Sequence, residues 1–310
     1  MVVSEAGAYP RHRVCGEFVS GVSDETLEAL GVLGAFEGAL RPRGMRWSYG
    51  GRVVFEGSLP APARAISRHR LDERLARMLA DAGGELRTCT RVAGAGGEGH
   101  VRAAGRTKLA AGTRIGLKAH IRGPLSQAEL EMYAGRNGYA GLTEVEDGWI
   151  NLCGIFRVDR SLRGRGPDLL AAYLDAGGNH ALARRLRDAE IREGSFSAVA
   201  GFDTGRQPGG EGELCIGDSD RMIPPFTGNG MSMAFEAAEC ALGPLTTWAR
   251  GALAWHAACN QTRAALSRRF RIRMAAATLL EPAIKRGAAA DALGYLPSAR
   301  SFRAILPLLR

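Results

Sequence analysis

Residues 216–238 (IGDSDRMIPPFTGNGMSMAFEAA) constrain the fold most, because they predict a strand, a glycine loop and a helix in direct succession. The strand ends on Gly217-Asp218, and the loop PPFTGNG (224–230) leads into an alanine-rich helix. A helix N-terminus presents unpaired N–H groups and positive charge, and glycines let a ligand approach the backbone. We therefore expect an anionic or electron-rich group at 228–232, with Asp218 accepting hydrogen bonds from sugar-type hydroxyls. The alternative is a strand–turn–helix unit that packs without a ligand.

Composition places the chain among soluble globular proteins. It has 310 residues, of which 45% are hydrophobic and 24% charged, enough for one large domain or two ordinary ones. No apolar run reaches the roughly 18 residues of a membrane-spanning helix. The N-terminus MVVSEAGAYPRHR has no long apolar region, so it is not a signal peptide. We expect a cytoplasmic protein.

The six cysteines are scattered, without CxxC spacing or nearby histidine clusters. This pattern favours neither a zinc site nor a disulfide framework. Buried free thiols are expected instead, and no metal is predicted. The cysteines are Cys15, Cys89, Cys153, Cys215, Cys240 and Cys259.

The net charge of +9 is concentrated in residues 251–310, which hold ten basic and two acidic residues. A basic region of this kind can contact nucleic acid, an acidic carrier protein or an anionic membrane surface, or it can be a solvated helix face. No aromatic stacking pattern or zinc-finger spacing supports nucleic-acid binding. Peripheral membrane or carrier contact through this region stays open.

Hydrophobic periodicity predicts a mixed α/β fold in which an antiparallel sheet walls a pocket. Residues 86–104 are interpreted as strand, glycine turn and strand. Helices are predicted at 23–34, 67–83 (with Ser67 as N-cap), 167–190, 230–250 and through 251–310, with breaks at Pro282 and Pro297; strands are predicted at 114–121, 139–158 (turn at 146–148), 196–203 and 212–218.

Several of these segments resemble the FAD-dependent oxidoreductases of the aromatic-hydroxylase and geranylgeranyl-reductase superfamily. The strand ending in "GD", followed by proline and "GxG" at a helix start, is the most specific of them. The others are YPRHRVCGEFVS (9–20), ISRHRLDERL (66–75), GLKAHI (116–121) and GYAGLTEVEDGWINLCGIF (138–156). The resemblance covers most of residues 1–250.

The resemblance implies a set of cofactor-binding residues. Asp218 would hydrogen-bond the ribityl hydroxyls, and the backbone amides of 228–231 would face the pyrimidine edge of the flavin. Arg68 would lie along the cofactor, Glu5 would take the adenosine ribose, and Cys15 would lie nearest the ring. The full set is Glu5, Arg11, Arg13, Cys15, Arg68, Gly217, Asp218, Pro225, Gly228, Asn229, Gly230 and Met231.

The chain departs from the family pattern at its N-terminus. The family begins with a strand, GxGxxG and a helix, and the acid follows about 20 residues after the glycines. Here only Met1 to Ser4 precede Glu5, and the one GxGxxG match, at 94–99, is interpreted as a hairpin turn. Ala104 also stands where the family has an aspartate. Either an upstream first unit belongs to the protein, which we favour, or the 310-residue chain has lost part of its hold on ADP.

The predicted fold is thus a truncated Rossmann-like FAD-binding domain (1–113 and 196–250), a substrate-side sheet (114–195) and a basic helical C-terminal region (251–310). The expected activity is that of an FAD-dependent oxidoreductase or monooxygenase with NAD(P)H as reductant and an apolar or aromatic substrate. No catalytic residue is assigned; His120 either faces the pocket or is satisfied within the sheet. The alternative is a non-catalytic domain that binds a hydrophobic ligand or a partner.

Overall fold

The computed structural model describes residues 1–92, 96–106, 112–123, 128–207, 212–223 and 229–285, and for 276–285 the backbone only. Most strands are short, and the longest belong to one large sheet. In chain order they are β1 (Val2–Ser4), β2 (Phe18–Val19), β3 (Gly44–Tyr49), β4 (Arg52–Ser58), β5 (Arg64–Ala65), β6 (Glu85–Arg87), β7 (Val101–Arg102), β8 (Arg114–Arg122), β9 (Leu130–Gly135), β10 (Gly138–Glu144), β11 (Ile150–Arg157), β12 (Glu190–Ile191), β13 (Ser197–Phe202), β14 (Gly205–Arg206), β15 (Leu214–Cys215) and β16 (Arg221–Met222).

The helices predicted at 67–83 and 230–250 lie close to their predicted positions, whereas the helix predicted at 167–190 is two helices, and the helix predicted at 23–34 ends at Ala29. Ser67 caps the second helix by accepting a hydrogen bond from the Arg70 N–H, as predicted. The prediction of a break at Pro282 is wrong, because the last helix continues through it. The helices are α1 (Asp24–Ala29), α2 (Arg68–Asp81), α3 (Pro167–Ala176), α4 (His180–Asp188), α5 (Gly230–Ala249) and α6 (Trp255–Lys285).

The large sheet has the strand order β12-β8-β11-β10-β9-β3-β4, and β13 also pairs with β8. Its strands at 114–122, 138–144, 150–157 and 197–202 confirm the predicted ones. These strands pair antiparallel, as predicted, and the sheet also contains one parallel pair, β3 with β9, between strands that were not predicted. Residues 50–129 separate these two strands, and a long connection of this kind permits parallel pairing.

The two faces of this sheet differ in character because side chains alternate along each strand. On one face of β8, Leu117, Ala119 and Ile121 pack in the largest hydrophobic cluster, together with buried residues of α3 and α4. On the other face, Lys118 and His120 point away from that core and are also fully buried. This second, polar face carries the groups of chemical interest.

Two parallel strand pairs lie outside the large sheet: β1 with β6, and β7 with β15. The predicted hairpin over 86–104 is therefore wrong, since β6 and β7 belong to different sheets. The glycine run at 94–99 lies between them and is followed by β7, not by a helix. Residues 94 and 95 lie outside the described residues, and the rest of the run does not open a helix as a phosphate loop does.

Helix α5 is held between two hydrophobic clusters. Its first turns pack Met231 and Phe235 against the cluster of α1, α2 and β2, which includes Leu27 and Leu71. Further along, Met233 and Ala237 pack against α6. These contacts fix the start of α5 beside residues 15–20.

No helix in the described part of the chain has the length and apolar character needed to cross a membrane.

The large sheet includes strands β3, β4 and β13, which lie outside residues 114–195. The predicted division into an FAD-binding domain and a sheet domain stays a prediction.

Candidate functional site

The start of α5 is anchored by its own buried polar residues. Asn229 is fully buried and its side-chain oxygen accepts a hydrogen bond from the Ser20 hydroxyl at 3.2 Å, while the Ser232 hydroxyl donates to the Ser20 carbonyl. No described side chain caps the helix. Pro225 and Gly228, two of the predicted cofactor-binding residues, lie outside the described residues.

Asp218 lies in a short 3-10 helix that begins at Gly217, whose φ of +60° favours glycine. Among the described residues, none donates a hydrogen bond to the Asp218 carboxylate. Burial raises the pKa of Asp218 to about 6, and the positive charges of Arg106 and Arg68 oppose this rise. A half-buried carboxylate to which no described group donates can accept hydrogen bonds from ligand hydroxyls.

Arg68, the first residue of α2, is held by a bidentate pair with Asp72. Its Nε and terminal nitrogen donate to the two carboxylate oxygens at 2.7 and 2.8 Å. Burial lowers the pKa of Arg68, but Asp72 and Cys15 together, through their charges and hydrogen bonds, outweigh burial and raise it. Arg68 is therefore a fixed positive charge, close enough to Asp218 to lower the pKa of that carboxyl.

Cys15 lies close to Arg68 and to the start of α5. Its Sγ lies 3.6 Å from the Met231 Sδ, next to the start of α5. Burial raises the pKa of Cys15, and the positive charge of Arg68 opposes the rise. The thiol is therefore protonated at neutral pH and is not a nucleophile in this state.

Glu5 is already engaged within the chain. Its carboxylate accepts hydrogen bonds from the Gly7 N–H, the Tyr9 hydroxyl, Arg11 and Arg13, at 2.7 to 3.0 Å. Arg13 also lies 3.3 Å from Asp72. Arg11 and Arg13 thus largely neutralise Glu5. A ribose at this position has to compete with them for hydrogen bonds to the Glu5 carboxylate.

The predicted residues nevertheless converge. Glu5 contacts Arg13, Arg13 reaches Asp72, and Asp72 holds Arg68. Arg68 in turn interacts with Cys15, which touches Met231. The structure therefore brings residues from 5 to 231 together at one place, although they are far apart in sequence.

Residues 11–15 separate this group from the large sheet. Arg11, Arg13 and Cys15 reach Glu5, Asp72 and Met231. The two residues between them turn to the sheet: His12 contacts Lys118, and a Cβ on Gly116 would meet Val14 at 2.7 Å. The segment thus places the predicted cofactor side and the polar sheet face on its two sides.

The polar sheet face holds a buried acid–base cluster formed by His12, Glu17, Lys118 and His120. Lys118 Nζ lies 2.9 Å from one Glu17 carboxylate oxygen, and His120 Nε2 lies 2.5 Å from the other. Lys118 Nζ also lies 3.2 Å from His12 Nδ1. Burial raises the pKa of Glu17, but the bonds from His120 and Lys118 outweigh burial and lower it.

Three members of this cluster are metal-binding residue types. Ligand atoms of His12, Glu17 and His120 lie within 4.8 Å of one another. The Lys118 ammonium, however, contacts both Glu17 and His12. A positive charge at that distance opposes the binding of a dication, so the cluster already contains its own cation.

The start of α5 also borders a cleft towards α6. Asp218, Arg221 and Met233 line it on one side and Leu266 and Phe270 on the other. Among the described residues, no atom lies within 4 Å of the point where a Cβ would stand on Gly230. Apolar walls with a few polar groups are typical of small-molecule sites.

Sequence reasoning missed four of the residues that complete this arrangement: Glu17, Asp72, Arg106 and Lys118. Asp72 stands four residues after Arg68 on α2, a spacing that does predict an ion pair. The Lys118–Glu17 pair joins residues 101 positions apart, and no local pattern signals it. His120 binds Glu17 through Nε2, and its buried Nδ1 has no partner among the described residues; that it faces a pocket stays a prediction.

Comparison with solved structures identifies the architecture. The flavin-dependent brominase Bmp2 superposes with a TM-score of 0.74 at 19% identity, over 99% of this chain and 86% of that one. A flavoprotein/dehydrogenase from Cytophaga hutchinsonii gives 0.71 at 13% identity, over 99% and 85%. PqsL of Pseudomonas aeruginosa, a probable FAD-dependent monooxygenase, gives 0.66 at 14%, over 93% and 92%.

The chain has the fold of the FAD-dependent monooxygenases and halogenases. The predicted fold class and the resemblance are confirmed at this level. Among curated proteins, a menaquinone reductase of Mycolicibacterium smegmatis is 30% identical over 96 residues. That match spans 30% of this chain and 24% of the reductase. No family model matches the chain.

The residues present fit the flavin half of an FAD molecule. No described group donates to the Asp218 carboxylate, and the N-cap side chain of α5 makes no capping hydrogen bond, so hydroxyl and anionic groups suit this end of the helix. The adenine half fits less well, because Glu5 is engaged by its own arginines. FAD is therefore compatible with one side of the site.

Proposed function

We propose that the protein is an FAD-dependent oxidoreductase or monooxygenase. The observation that carries the proposal is the convergence of Arg68, Cys15, Asp218 and the start of α5 within the fold of flavin-dependent enzymes. Bound FAD would supply the redox chemistry, while the protein supplies binding, orientation and the exclusion of water.

Each group has a distinct role in this proposal. Asp218 accepts hydrogen bonds from hydroxyls of the cofactor, which offset the cost of its partial burial. The backbone N–H groups at the start of α5, from Asn229 to Met231, face negative charge on the cofactor. Arg68, fixed by Asp72, adds a positive charge beside it.

The substrate is proposed to be an apolar or aromatic small molecule. The polar face of the large sheet continues into an apolar region with aromatic and methionine side chains. Met45, Trp47, Phe55 and Met132 belong to it, and such side chains suit flat apolar ligands. NAD(P)H is the proposed reductant, by analogy with the fold alone.

A second candidate is a non-catalytic domain that binds a hydrophobic ligand or a partner. Two observations favour it. Glu5 is occupied by Arg11 and Arg13, and the glycine run at 94–99 is followed by β7 instead of the helix of a phosphate loop. Both weaken the expected hold on the ADP half of FAD.

A further part of the proposal concerns partners. Helix α6 presents exposed Arg268 and Arg271 beside other basic residues, and it belongs to the basic region 251–310. We propose that this region contacts an anionic membrane surface or an acidic carrier protein, and that nucleic acid is not a ligand.

Titration with FAD decides between the two candidates. The purified chain should bind FAD, with quenched flavin fluorescence, and Asp218→Asn should weaken binding at least tenfold. Bleaching of the visible flavin band by NADH or NADPH supports the oxidoreductase. Protein that takes up no added FAD contradicts it and favours the non-catalytic domain. Asp81→Asn, on the exposed end of α2, is the matched control.

A further inference from the structure

The buried cluster on the polar sheet face has no role in the function proposed above. Lys118, Glu17 and His120 have no exposed surface, whereas His12 is half-buried. Burying an ion pair costs several kcal/mol per ion before any attraction is counted, so such a pair is weak evidence of stabilisation. Buried charges with a hydrogen-bonded route to a more exposed group are instead typical of proton transfer.

His12 is held in one protonation state by its surroundings. Burial first, and then the charges of Lys118, His120 and His69, together lower its pKa to about 3, while Glu17 opposes them. The imidazole is therefore neutral, and its Nδ1 must be the acceptor for the Lys118 ammonium, which has no lone pair. The ring proton consequently lies on Nε2.

Lys118 can supply a proton to His12. Its ammonium has three N–H donors, and within the described chain it has two acceptors, Glu17 at 2.9 Å and His12 at 3.2 Å. His120 steadies the other Glu17 oxygen at 2.5 Å. The His12 ring lies 4.7 Å from the ring of partly exposed His69, so water has access to this end of the cluster.

We propose that His12 and Lys118 form a proton-delivery pair for the molecule bound beside residues 11–15, with Glu17 and His120 as positioning residues. The acceptor takes the Nε2 proton of His12 as the Lys118 Nζ proton moves to Nδ1, which leaves Lys118 a neutral amine. Solvent then protonates Nε2, and Nδ1 returns its proton to Lys118. One proton passes from solvent to the acceptor, and no electrons move.

The acceptor rests on the proposed function. A flavin that receives electrons alone, as in photoreduction, takes up a proton from its surroundings, whereas a hydride from NAD(P)H brings its own hydrogen; a donor that solvent refills would serve the first case. Residues 11–15 contact both the cluster, through His12, and the predicted cofactor residue Met231, through Cys15, so a cofactor held there would lie next to the segment that carries His12.

The tautomer of His12 tests the pair without any cofactor. In ¹⁵N-histidine-labelled protein, His12 should stay neutral with its proton on Nε2 from about pH 5 to about pH 8. The double variant Glu17→Gln/Lys118→Met, which removes both charges, should give mixed tautomers and a raised His12 pKa. The control His180→Gln changes an exposed histidine and should leave His12 unaltered. A wild-type His12 that titrates in this range overturns the proposal.

Proton uptake tests delivery. When bound FAD is photoreduced in the presence of a pH indicator, His12→Gln should slow proton uptake at least tenfold, because glutamine keeps an amide donor but transfers no proton. Equal rates overturn the delivery step. Protein that binds no FAD stays colourless. That result contradicts the proposed function and, with it, proton delivery to a flavin. Stoichiometric zinc that is lost in His12→Gln would reassign the cluster to a metal.

Discussion

The Lys118 ammonium lies 2.9 Å from the Glu17 carboxylate, and neither side chain has any exposed surface. This relationship links the segment before β2 to the centre of the large sheet. Each charge is tolerated in the interior because the other is present, and His12 and His120 complete the hydrogen bonds.

Removing one partner should therefore destabilise the fold more than removing both. Lys118→Met alone leaves Glu17 buried without its counter-ion and should lower the free energy of unfolding by about 3–5 kcal/mol. Glu17→Gln/Lys118→Met should recover most of that loss. Urea unfolding of the two variants measures the difference. A double variant no more stable than Lys118→Met contradicts this account of the pair.

Asp218 should lower the stability of the folded protein at neutral pH while it contributes to FAD binding. Its pKa rises from 3.8 in the unfolded chain to about 6, so the folded protein holds the proton more tightly and stability falls as the pH rises through that interval. Each pKa unit corresponds to about 1.4 kcal/mol, and Asp218 is partly exposed, so Asp218→Asn should gain at most about 3 kcal/mol at neutral pH.

The gain should vanish below about pH 4, where wild-type Asp218 is protonated in both states. Thermal unfolding across this pH range measures it, with Asp81→Asn as the control for loss of one acidic charge. Added FAD should stabilise the wild type more than Asp218→Asn. An Asp218→Asn protein less stable than wild type at neutral pH would contradict the raised pKa.

Local patterns predicted some elements well, because capping and periodicity act over a few residues, but strands β3, β4 and β9 were not predicted. Ser67 and the repeat of apolar residues after it defined α2, and alternation defined β8. The pairing of strands was less accessible. Nothing near residues 44–49 indicated that β3 joins β9 in parallel, because that contact is set by the packing of the whole sheet.

The residues of the site also divide into those that local sequence predicted and those that it did not. Asp218 and the start of α5 follow from the order strand, glycine loop, helix, and Arg68 from the resemblance. The partners that decide their charge states come from distant elements: Arg106 beside Asp218, and Lys118 beside Glu17. The engagement of Glu5 by Arg11 and Arg13 was also hidden, although all three were named as cofactor-binding residues.

The six thiols should react in the order of their exposure. Cys89 is exposed, whereas Cys153 is buried and burial raises its pKa beyond the usual range. Burial also raises the pKa of Cys15. Ellman titration of native protein at neutral pH should therefore modify Cys89 first, and Cys15 and Cys153 only on unfolding. Cys89→Ser should remove the fast phase; a fast phase that survives this change contradicts the prediction.

Ser67 should matter more than an ordinary helix cap. Its hydroxyl oxygen accepts from the Arg70 N–H, and the hydroxyl and N–H of Ser67 both bind Glu146 at the turn between β10 and β11. Ser67→Ala removes the cap and leaves Glu146 with one donor fewer, so it should cost about 1–2 kcal/mol of unfolding free energy.

The same change should loosen Arg68, which follows directly on the cap. FAD affinity should therefore fall in Ser67→Ala, while Ser67→Thr, which keeps the hydroxyl, should restore most of both stability and affinity. Urea unfolding and FAD titration of the two variants measure these effects. A Ser67→Ala protein that matches wild type in both would show that the cap does not position Arg68.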